Sequence, residues 1–270
     1  MLSCPAQTPS NARFHIIIPA RMASSRLPGK MLADVGGVPL VIRTAQQAAQ
    51  AGALSVTIAA DHADIAAVAS QFGVACVMTD VAHPTGTDRL SQAAAILGLA
   101  SDAIVVNVQG DEPLIDPAII RAVADTLATQ ASCAMATAAH PIHDAADVFN
   151  PNVVKLVCNA MGQALYFSRA PIPFARDAYA SDALGLMQPA LKVGHTLPAV
   201  QRHIGIYAYR VSFLSAYPTL AQSPLEVTES LEQLRALWHG YSIAVMPWDT
   251  ALIAGVDTAA DLERVRATLC

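Results

Sequence analysis

Short β-branched runs alternate with longer helical patterns along this chain, and this alternation constrains the fold more than any other feature. The runs predict buried strands at Ile16–Ile18, Val56–Ile58, Val74–Met78 and Ile104–Val108. Strands that alternate with helices imply right-handed crossovers and a mainly parallel sheet. Because ligands of such sheets usually lie beyond the carboxyl ends of the strands, the loops that follow the strands are the first candidates for a site.

Capping residues and glycines place the helices between these strands. Pro39 and Gly52 bracket a helix over residues 40–51, and Asp116-Pro117 starts another. Asp61 is expected to cap a helix that reaches about residue 72, and Thr87 one that reaches about residue 97. The predicted class is therefore α/β.

The pattern changes after Thr137, where the strands are paired rather than separated by helices. The predicted elements are strands Val153–Cys158, Ala164–Ser168, Ile204–Tyr209 and Ile243–Met246, one helix from Ser223-Pro224 that carries Leu225, Leu231 and Leu234, and a final helix from about Thr258. An irregular, proline-containing stretch separates the second and third of these strands. This part predicts a smaller antiparallel layer inserted into the parallel sheet.

Composition excludes several classes of partner. The chain has 16 Lys+Arg against 21 Asp+Glu, a formal net charge of -5, so neither nucleic acid nor an anionic membrane surface is expected to bind it. No apolar run approaches the length that a membrane-spanning helix needs. The 5 cysteines include no CxxC pair, so neither a disulfide framework nor a zinc site is predicted, and a reduced, cytoplasmic setting is expected.

A basic loop follows the first predicted strand. Arg21, Arg26 and Lys30 lie among small residues whose backbone N–H groups could face an anion. The loop matches neither the Walker A pattern nor the GxGxxG pattern, so a solvated basic loop is the alternative. Since the whole chain is acidic, any phosphate must be held by a local cluster such as this one.

An acidic loop follows the fourth predicted strand. Asp111 stands where a parallel-sheet enzyme would place a ligand for Mg²⁺ bound together with substrate phosphates, although Gly, Asp and Pro all favour a simple turn. The basic loop after the first strand and the acid after the fourth together indicate a nucleotide with Mg²⁺.

Seven segments carry a resemblance to a known family. They are PARMASSRLPGK (Pro19–Lys30), VNVQGDEPLI (Val106–Ile115), FNPNVVKLV (Phe149–Val157), ALYFSRAPIP (Ala164–Pro173), RHIGIYAYR (Arg202–Arg210), SPLEVTESLEQLR (Ser223–Arg235) and GVDTAADLERV (Gly255–Val265). In this order they closely resemble the 3-deoxy-D-manno-octulosonate (Kdo) cytidylyltransferases, the CMP-Kdo synthetase family. The resemblance implies a nucleotidyltransferase (Rossmann-like) α/β fold, a mainly parallel sheet with a smaller antiparallel dimerisation insertion, and a homodimer.

The resemblance also divides the chain. It implies a nucleotide-binding α/β domain over 14–140, an insertion for Kdo binding and dimerisation over 141–210, and a return to the α/β domain over 211–270. Residues 1–13, where Pro5 and Pro9 lie among polar residues, are predicted from their composition to form a disordered tail. Residues 182–200 form a longer stretch than the family pattern leads us to expect, and we predict that it orders or closes when the sugar binds.

Site residues follow from the resemblance position by position. The CTP-binding set is Arg21, Ser24, Arg26, Lys30, Thr85, Arg89 and Gln109, and the segment from Thr85 to Arg89 departs from the family's Ser-Gly-Thr-Glu-Arg at Thr85 and Asp88. The metal-binding carboxylates are Asp111 and Asp257, and the catalytic set is Arg21, Lys30, Asp111 and Asp257. The Kdo-binding set is Arg169, His203, Tyr207, Glu232 and Gln233.

Three of the five sugar-site residues have a structural alternative that the sequence leaves open. Arg169 alone could be a surface ion-pair partner, and His203 a structural histidine before an apolar strand. Glu226, Glu229 and Glu232 recur at i+3 steps, which is also the pattern of an exposed acidic helix face.

The implied reaction transfers CMP from CTP to the anomeric hydroxyl of Kdo, with Mg²⁺ as cofactor and pyrophosphate as the second product, for lipopolysaccharide biosynthesis. Two alternatives remain at this point. One is a cytidylyltransferase for another 2-keto sugar acid, such as 8-amino-Kdo or sialic acid. The other is a nucleotide-binding regulator without activity, although Lys30, Asp111 and Asp257 are all present.

Overall fold

The computed structural model describes residues 12–24, 26–181, 187–192, 199–250 and 255–269. These residues form two compact units. The parallel-sheet unit contains the described residues up to 135, 206–219 and 255–269, and the second unit contains those in 136–205 and 220–250. Residues 220–250 thus group with the second unit, whereas all of 211–270 were predicted to return to the nucleotide-binding domain.

Thirteen strands occur in the described residues: β1 (Phe14–Ala20), β2 (Asp34–Val35), β3 (Val38–Pro39), β4 (Ser55–Ala60), β5 (Ala75–Met78), β6 (Ile104–Asn107), β7 (Met135–Pro141), β8 (Lys155–Cys158), β9 (Ala164–Ser168), β10 (Tyr179–Ser181), β11 (Met187–Leu191), β12 (Gln201–Arg210) and β13 (Ile243–Pro247). Nine α-helices accompany them in the same part of the chain: α1 (Leu40–Ala49), α2 (Ala63–Gln71), α3 (Gly86–Ile96), α4 (Pro117–Thr129), α5 (Ala145–Phe149), α6 (Val211–Ala216), α7 (Pro224–Glu229), α8 (Gln233–Trp238) and α9 (Ala259–Leu269).

The sheet of the parallel-sheet unit confirms the predicted class. Strand β1 pairs in parallel with both β4 and β6, and β4 pairs in parallel with β5. The second half of β12 pairs antiparallel with β6, with Tyr207 opposite Asn107. Because Ile16, Ile17 and Ile18 are fully buried on the central strand, both faces of the sheet are covered. Because β1 and β6 are parallel neighbours, the loops that follow them leave the sheet at the same edge.

Two predicted helix caps are wrong by one or two residues. His62, not Asp61, precedes α2, and its ring accepts a hydrogen bond from the Asp64 N–H. The Asp61 carboxylate is instead occupied by the Met22 N–H at 2.8 Å and by Arg89 at 3.3 Å. At α3, Thr85 rather than Thr87 is the cap. Tertiary partners thus displaced the local capping preference at Asp61.

Strands β8 and β9 of the second unit form the predicted antiparallel pair, and β8 also pairs with Gln201 and Arg202 of β12. In the same unit, Ile142, Val148, Val153, Tyr179 and Val200 form a buried apolar cluster. The antiparallel layer is therefore confirmed, with its own core.

The single helix predicted from Ser223-Pro224 is in fact two helices. A capping box between Ser223 and Glu226 starts α7 as expected, but Ser230 takes a left-handed conformation, φ 53°, and ends it. Helix α8 then starts at Gln233. The i+3 glutamates consequently do not share one helix face, and Glu226 is buried rather than exposed.

Two further predictions fall mostly on residues that the structure does not describe. Of the predicted tail, residues 1–11 lie outside the described residues, while the Ala12 N–H donates to Asp125 and its carbonyl accepts from Arg121. Of the predicted mobile stretch, 182–186 and 193–198 lie outside them. Within the described part of the chain, we find no helix with the length and apolarity needed to span a bilayer.

Candidate active site

Four charged side chains from three separate parts of the chain meet beside the loops after β1 and β6. The Lys30 Nζ lies 2.6 Å from Asp111 Oδ2 and 3.3 Å from Asp257 Oδ1, and its side chain is buried. Arg26 Nη2 lies 3.1 Å from the same Asp257 oxygen, at the exposed rim. We call these four residues the charge cluster; all of them were predicted as site residues.

Local backbone geometry places Lys30 in this cluster. Gly29 has φ 67°, a conformation that glycine tolerates best, and it precedes a single 3₁₀ turn from Lys30 to Leu32. Gly110 lets the loop after β6 approach this turn, since a Cβ there would lie 2.9 Å from Met31 Sδ and 3.1 Å from the Pro19 carbonyl oxygen. The two loops can therefore pack closely only with glycine at position 110.

Asp257 reaches the cluster through a backbone contact. The Val256 N–H donates to the Asp111 carbonyl at 2.8 Å. Gly255, the residue before Val256, lies so close to Asp111 that an added Cβ would be 2.9 Å from the Asp111 carbonyl oxygen. After Val256, the Asp257 N–H donates to Asp261 Oδ2 at 3.1 Å at the start of α9. The two carboxylates, far apart in sequence, are thus fixed side by side.

The charge cluster fits the chemistry of a divalent cation. Asp111 and Asp257 offer hard carboxylate oxygens around one point, where the ammonium of Lys30 lies in this structure. Among the described residues, no group of three or more His, Cys, Asp or Glu side chains could hold a metal ion alone. Two carboxylates with the remaining ligands from phosphate and water suit Mg²⁺ in nucleotide sites.

Glu112 adds a third carboxyl group next to the cluster. Its burial, with the charge of Asp111 as a smaller cause, raises the pKa of Glu112 to about 7. The group is therefore partly protonated near neutral pH, unlike an ordinary glutamate. Glu112 was not among the predicted site residues.

The other predicted CTP-binding residues occupy different surroundings in the same unit. Arg21 Nη2 donates to the His83 carbonyl at 3.2 Å. Ser24 is half-buried and Gln109 is exposed at the carboxyl end of β6. Thr85 Oγ1 accepts from the Asp88 N–H and donates to the Asp88 carboxylate, so its hydroxyl serves the cap of α3.

Arg89 is fully buried, which the sequence did not indicate. Its guanidinium donates to Thr79 Oγ1 at 2.5 Å and to Asp61 Oδ2 at 3.3 Å. Desolvation by burial lowers the pKa of Arg89, and the charge of Asp61 opposes this shift. In this structure Arg89 thus ties α3 to the ends of the neighbouring strands, and its predicted contact with CTP remains a prediction.

Four of the predicted sugar-site residues lie in the second unit, whereas Tyr207 lies in the parallel-sheet unit. Arg169 donates to main-chain carbonyls of Pro151, Glu229 and Ser230. Glu232 is exposed just before α8, and Gln233 is 8% exposed. Among the described residues, Gln233 Nε2 has no hydrogen-bond partner, which leaves a buried donor available to a ligand.

His203 is held as a neutral ring. Its Nε2 lies 3.0 Å from Thr137 Oγ1, and the ring packs edge-on against Phe167. Desolvation lowers the pKa of His203 to about 3, so the imidazole carries no charge at neutral pH. It can therefore exchange hydrogen bonds with a hydroxyl but cannot supply positive charge to an anion.

Sequence reasoning missed several groups that organise the second unit. Lys155 is fully buried, and Glu229 accepts from Ser168 Oγ at 2.6 Å and from the Arg169 N–H at 2.9 Å. Lys155 lies inside the segment FNPNVVKLV, and a lysine within an apolar strand pattern was the signal that could have drawn attention to it.

Comparison with known proteins places these features in a family. A parallel α/β sheet with cations and paired carboxylates at the carboxyl ends of its strands defines a nucleotide-binding α/β protein of the nucleotidyltransferase type. A family model described as cytidylyltransferase matches residues 15–243. A solved CMP:2-keto-3-deoxy-manno-octonic acid synthetase complexed with CTP is 38% identical, with a TM-score of 0.81 over 95% of this chain and 98% of that one. The chain belongs to the cytidylyltransferase family.

More distant structures share the fold alone. A cytidylyltransferase from Leptospira borgpetersenii serovar Hardjo-bovis is 18% identical, with a TM-score of 0.56 over 95% of this chain and 86% of that one. A 4-diphosphocytidyl-2C-methyl-D-erythritol synthase from Anaerococcus prevotii is 13% identical, with a TM-score of 0.55 over 95% of this chain and 98% of that one. The nucleotidyltransferase architecture predicted from the sequence is thereby confirmed.

Proposed function

We propose that this protein is a CMP-Kdo synthetase, which transfers CMP from CTP to Kdo and releases pyrophosphate for lipopolysaccharide biosynthesis. The observation that carries the proposal is the 38% identity to a CMP:2-keto-3-deoxy-manno-octonic acid synthetase over 95% of the chain. The charge cluster supports it, because a triphosphate and its metal need cations and carboxylates side by side.

The reaction is a nucleotidyl transfer, a displacement at the α-phosphorus of CTP. The anomeric 2-hydroxyl oxygen of Kdo forms a bond to the α-phosphorus of CTP, and the bond from that phosphorus to the bridging oxygen of pyrophosphate breaks. The hydroxyl proton passes to solvent, since no described side chain stands out as an obligatory base. Positioning and charge stabilisation are then the main contributions of the protein.

Lys30 and Arg21 are assigned to the departing pyrophosphate. An ammonium has three N–H donors, and Asp111 and Asp257 accept two of those of Lys30. A cation bound by the two carboxylates would take the place of this ammonium, and the N–H donors of Lys30 would then be available to phosphate oxygens. Ser24 and Arg26 are assigned to the triphosphate, and Gln109, Thr85 and Arg89 to the cytidine side.

Asp111 and Asp257 are the residues that would hold Mg²⁺. When bound there, Mg²⁺ would supply charge neutralisation of the phosphates and activation of the acceptor hydroxyl. Because both carboxylates are fixed through the Val256–Asp111 backbone bond, they can bind a cation without a large loss of conformational freedom.

The acceptor is assigned to Arg169, His203, Tyr207, Glu232 and Gln233. An arginine can pair with the Kdo carboxylate, while neutral imidazole, carboxylate and amide groups can bind its hydroxyls. We further propose that the protein acts as a cytoplasmic homodimer, with the antiparallel layer of the second unit contributing to the interface.

A direct assay tests the function. Purified protein, CTP, Mg²⁺ and Kdo should give CMP-Kdo and pyrophosphate in equal amounts. Tight CTP binding without Mg²⁺-dependent turnover on any acceptor would instead identify a nucleotide-binding regulator.

A further inference from the structure

The main chain of Arg169 is held from both sides by charged side chains. Its N–H donates to Glu229 Oε2 at 2.9 Å, and its carbonyl accepts from Lys155 Nζ at 2.5 Å. Glu229 also accepts from Ser168 Oγ, one residue earlier, at 2.6 Å. The end of strand β9 is therefore fixed at two successive residues.

Within the part of the chain that the structure describes, the guanidinium of Arg169 donates only to main-chain carbonyls. Nε donates to the main-chain carbonyl of Glu229 at 2.7 Å, Nη1 to that of Pro151 at 3.0 Å, and Nη2 to that of Ser230 at 3.4 Å. These bonds use three of its five N–H donors. They orient the group, no carboxylate of the described residues is bonded to it, and both Nη contacts lie at exposed positions.

The left-handed turn at Ser230 explains why two of these carbonyls are available. It ends α7 at Glu229, so the carbonyls of Glu229 and Ser230 point away from a continuing helix. A non-glycine residue with φ 53° is uncommon, and such residues concentrate at functional sites.

Lys155 joins the end of β9 to the loop that precedes β8. Its fully buried ammonium donates to the carbonyls of Asn150, Val153 and Arg169 at 3.0, 2.7 and 2.5 Å, which matches its three donors. Burial lowers the pKa of Lys155, and the charge of Glu229 opposes that shift. A buried cation is costly, and a methionine of similar length would fill this space without that cost.

We propose that Lys155 and Glu229 are positioning residues for acceptor binding: they fix Arg169 so that its two remaining N–H donors meet the carboxylate of a 2-keto sugar acid. This inference rests on the proposed function. Neither residue needs to touch the substrate, since each acts on the main chain of Arg169.

Separate Michaelis constants for the two substrates test this role. Glu229→Gln replaces one carboxylate oxygen by an amide NH₂ group of similar size, so either Ser168 Oγ or the Arg169 N–H loses its acceptor. Lys155→Met removes all three N–H donors of the ammonium. Each should raise KM for Kdo about 10-fold or more, leave KM for CTP within about 2-fold, and change kcat less than KM for Kdo. Glu229→Asp, which keeps the charge, should recover part of the KM for Kdo.

Asn159→Ala is the matched control. Asn159 Oδ1 accepts from the Met161 and Gln163 N–H groups in the turn at the opposite end of the β8–β9 pair. This variant should lose thermal stability without any change in KM for Kdo. If Lys155→Met does not fold, Glu229→Gln decides alone.

Two outcomes would overturn the inference while the enzyme itself remains active. One is a folded Glu229→Gln variant with the wild-type KM for Kdo. The other is an equal rise in KM for both substrates, which is the behaviour of general structural damage. If the wild-type protein fails to use Kdo, the proposed function fails, and that result is distinguishable because it appears before any variant is compared.

Discussion

Replacing Gly255 by alanine tests how strictly Asp111 and Asp257, the two carboxylates proposed to bind Mg²⁺, are positioned. A Cβ at this residue would lie 2.9 Å from the Asp111 carbonyl oxygen and 3.3 Å from Glu112 Cγ. Ordinary contact begins at 3.4 Å, so the segment must move by about 0.5 Å. The backbone oxygen cannot rotate away as a flexible side chain could.

The required shift falls on the bond that places Asp257. The hydrogen bond from the Val256 N–H to the Asp111 carbonyl is 2.8 Å long and would lengthen to about 3.3 Å, outside the usual range, if it absorbed the whole movement. Misplacement by about 1 Å can cost about 10²-fold in rate, so we expect Gly255→Ala to lower kcat about 10-fold. Overpacking should also cost about 1–3 kcal/mol of stability.

The assay is Mg²⁺-dependent pyrophosphate release from CTP and Kdo, with thermal unfolding measured in parallel. Gly98→Ala is the control, because Gly98 has φ 62° after α3 but nothing within 4 Å of its added Cβ. It should lose stability from the left-handed backbone and keep its kcat. A Gly255→Ala enzyme with wild-type kcat and wild-type stability would refute the reasoning.

Three other changes have defined outcomes. Lys30→Ala should lower kcat about 10²- to 10³-fold with an unchanged far-UV circular dichroism spectrum, and near-full pyrophosphate release would remove Lys30 from the proposed mechanism. Glu226→Gln breaks a buried pair in which Arg235 donates to both carboxylate oxygens, at 2.8 and 2.5 Å, so the free energy of unfolding in urea should fall by about 3–5 kcal/mol, and a loss under 1 kcal/mol would contradict this. The pKa of His203 is about 3 in the folded protein and about 6.5 in the unfolded chain. Between these values the unfolded state binds a proton that the folded state does not, so the free energy of unfolding should fall by about 1.4 kcal/mol for each pH unit below about 6.5. His203→Gln should flatten that slope in denaturation curves between pH 6.5 and 4.5, and an unchanged slope would show that the ring is protonated in the folded protein.

The parallel sheet could be predicted because its strands are continuous apolar runs between helices with recognisable ends. Helix starts were less secure wherever a polar side chain had a distant partner. Asp61 has the chemistry of a cap, but Met22 and Arg89 occupy its carboxylate. Likewise, nothing local indicated that Ser230 would adopt a left-handed φ and divide the predicted helix into α7 and α8.

The charge cluster was predicted in two different ways. Residue chemistry and position after β1 and β6 were enough to connect Lys30 with Asp111. Asp257 entered only through the family resemblance, since its approach depends on the close backbone contact at Gly255. The support of Arg169 by Lys155 and Glu229 was not foreseen, because hydrogen bonds to main-chain carbonyls leave no side-chain pattern in the sequence.

The most direct test of the account is an acceptor panel with the purified protein, CTP and Mg²⁺, in which Kdo, 8-amino-Kdo and a sialic acid compete at equal concentration. The product distribution can be read by mass spectrometry together with pyrophosphate release. We predict that CMP-Kdo is the main product. Preference for either of the other acids would contradict the assigned substrate, and absence of any nucleotide transfer would contradict the proposed function.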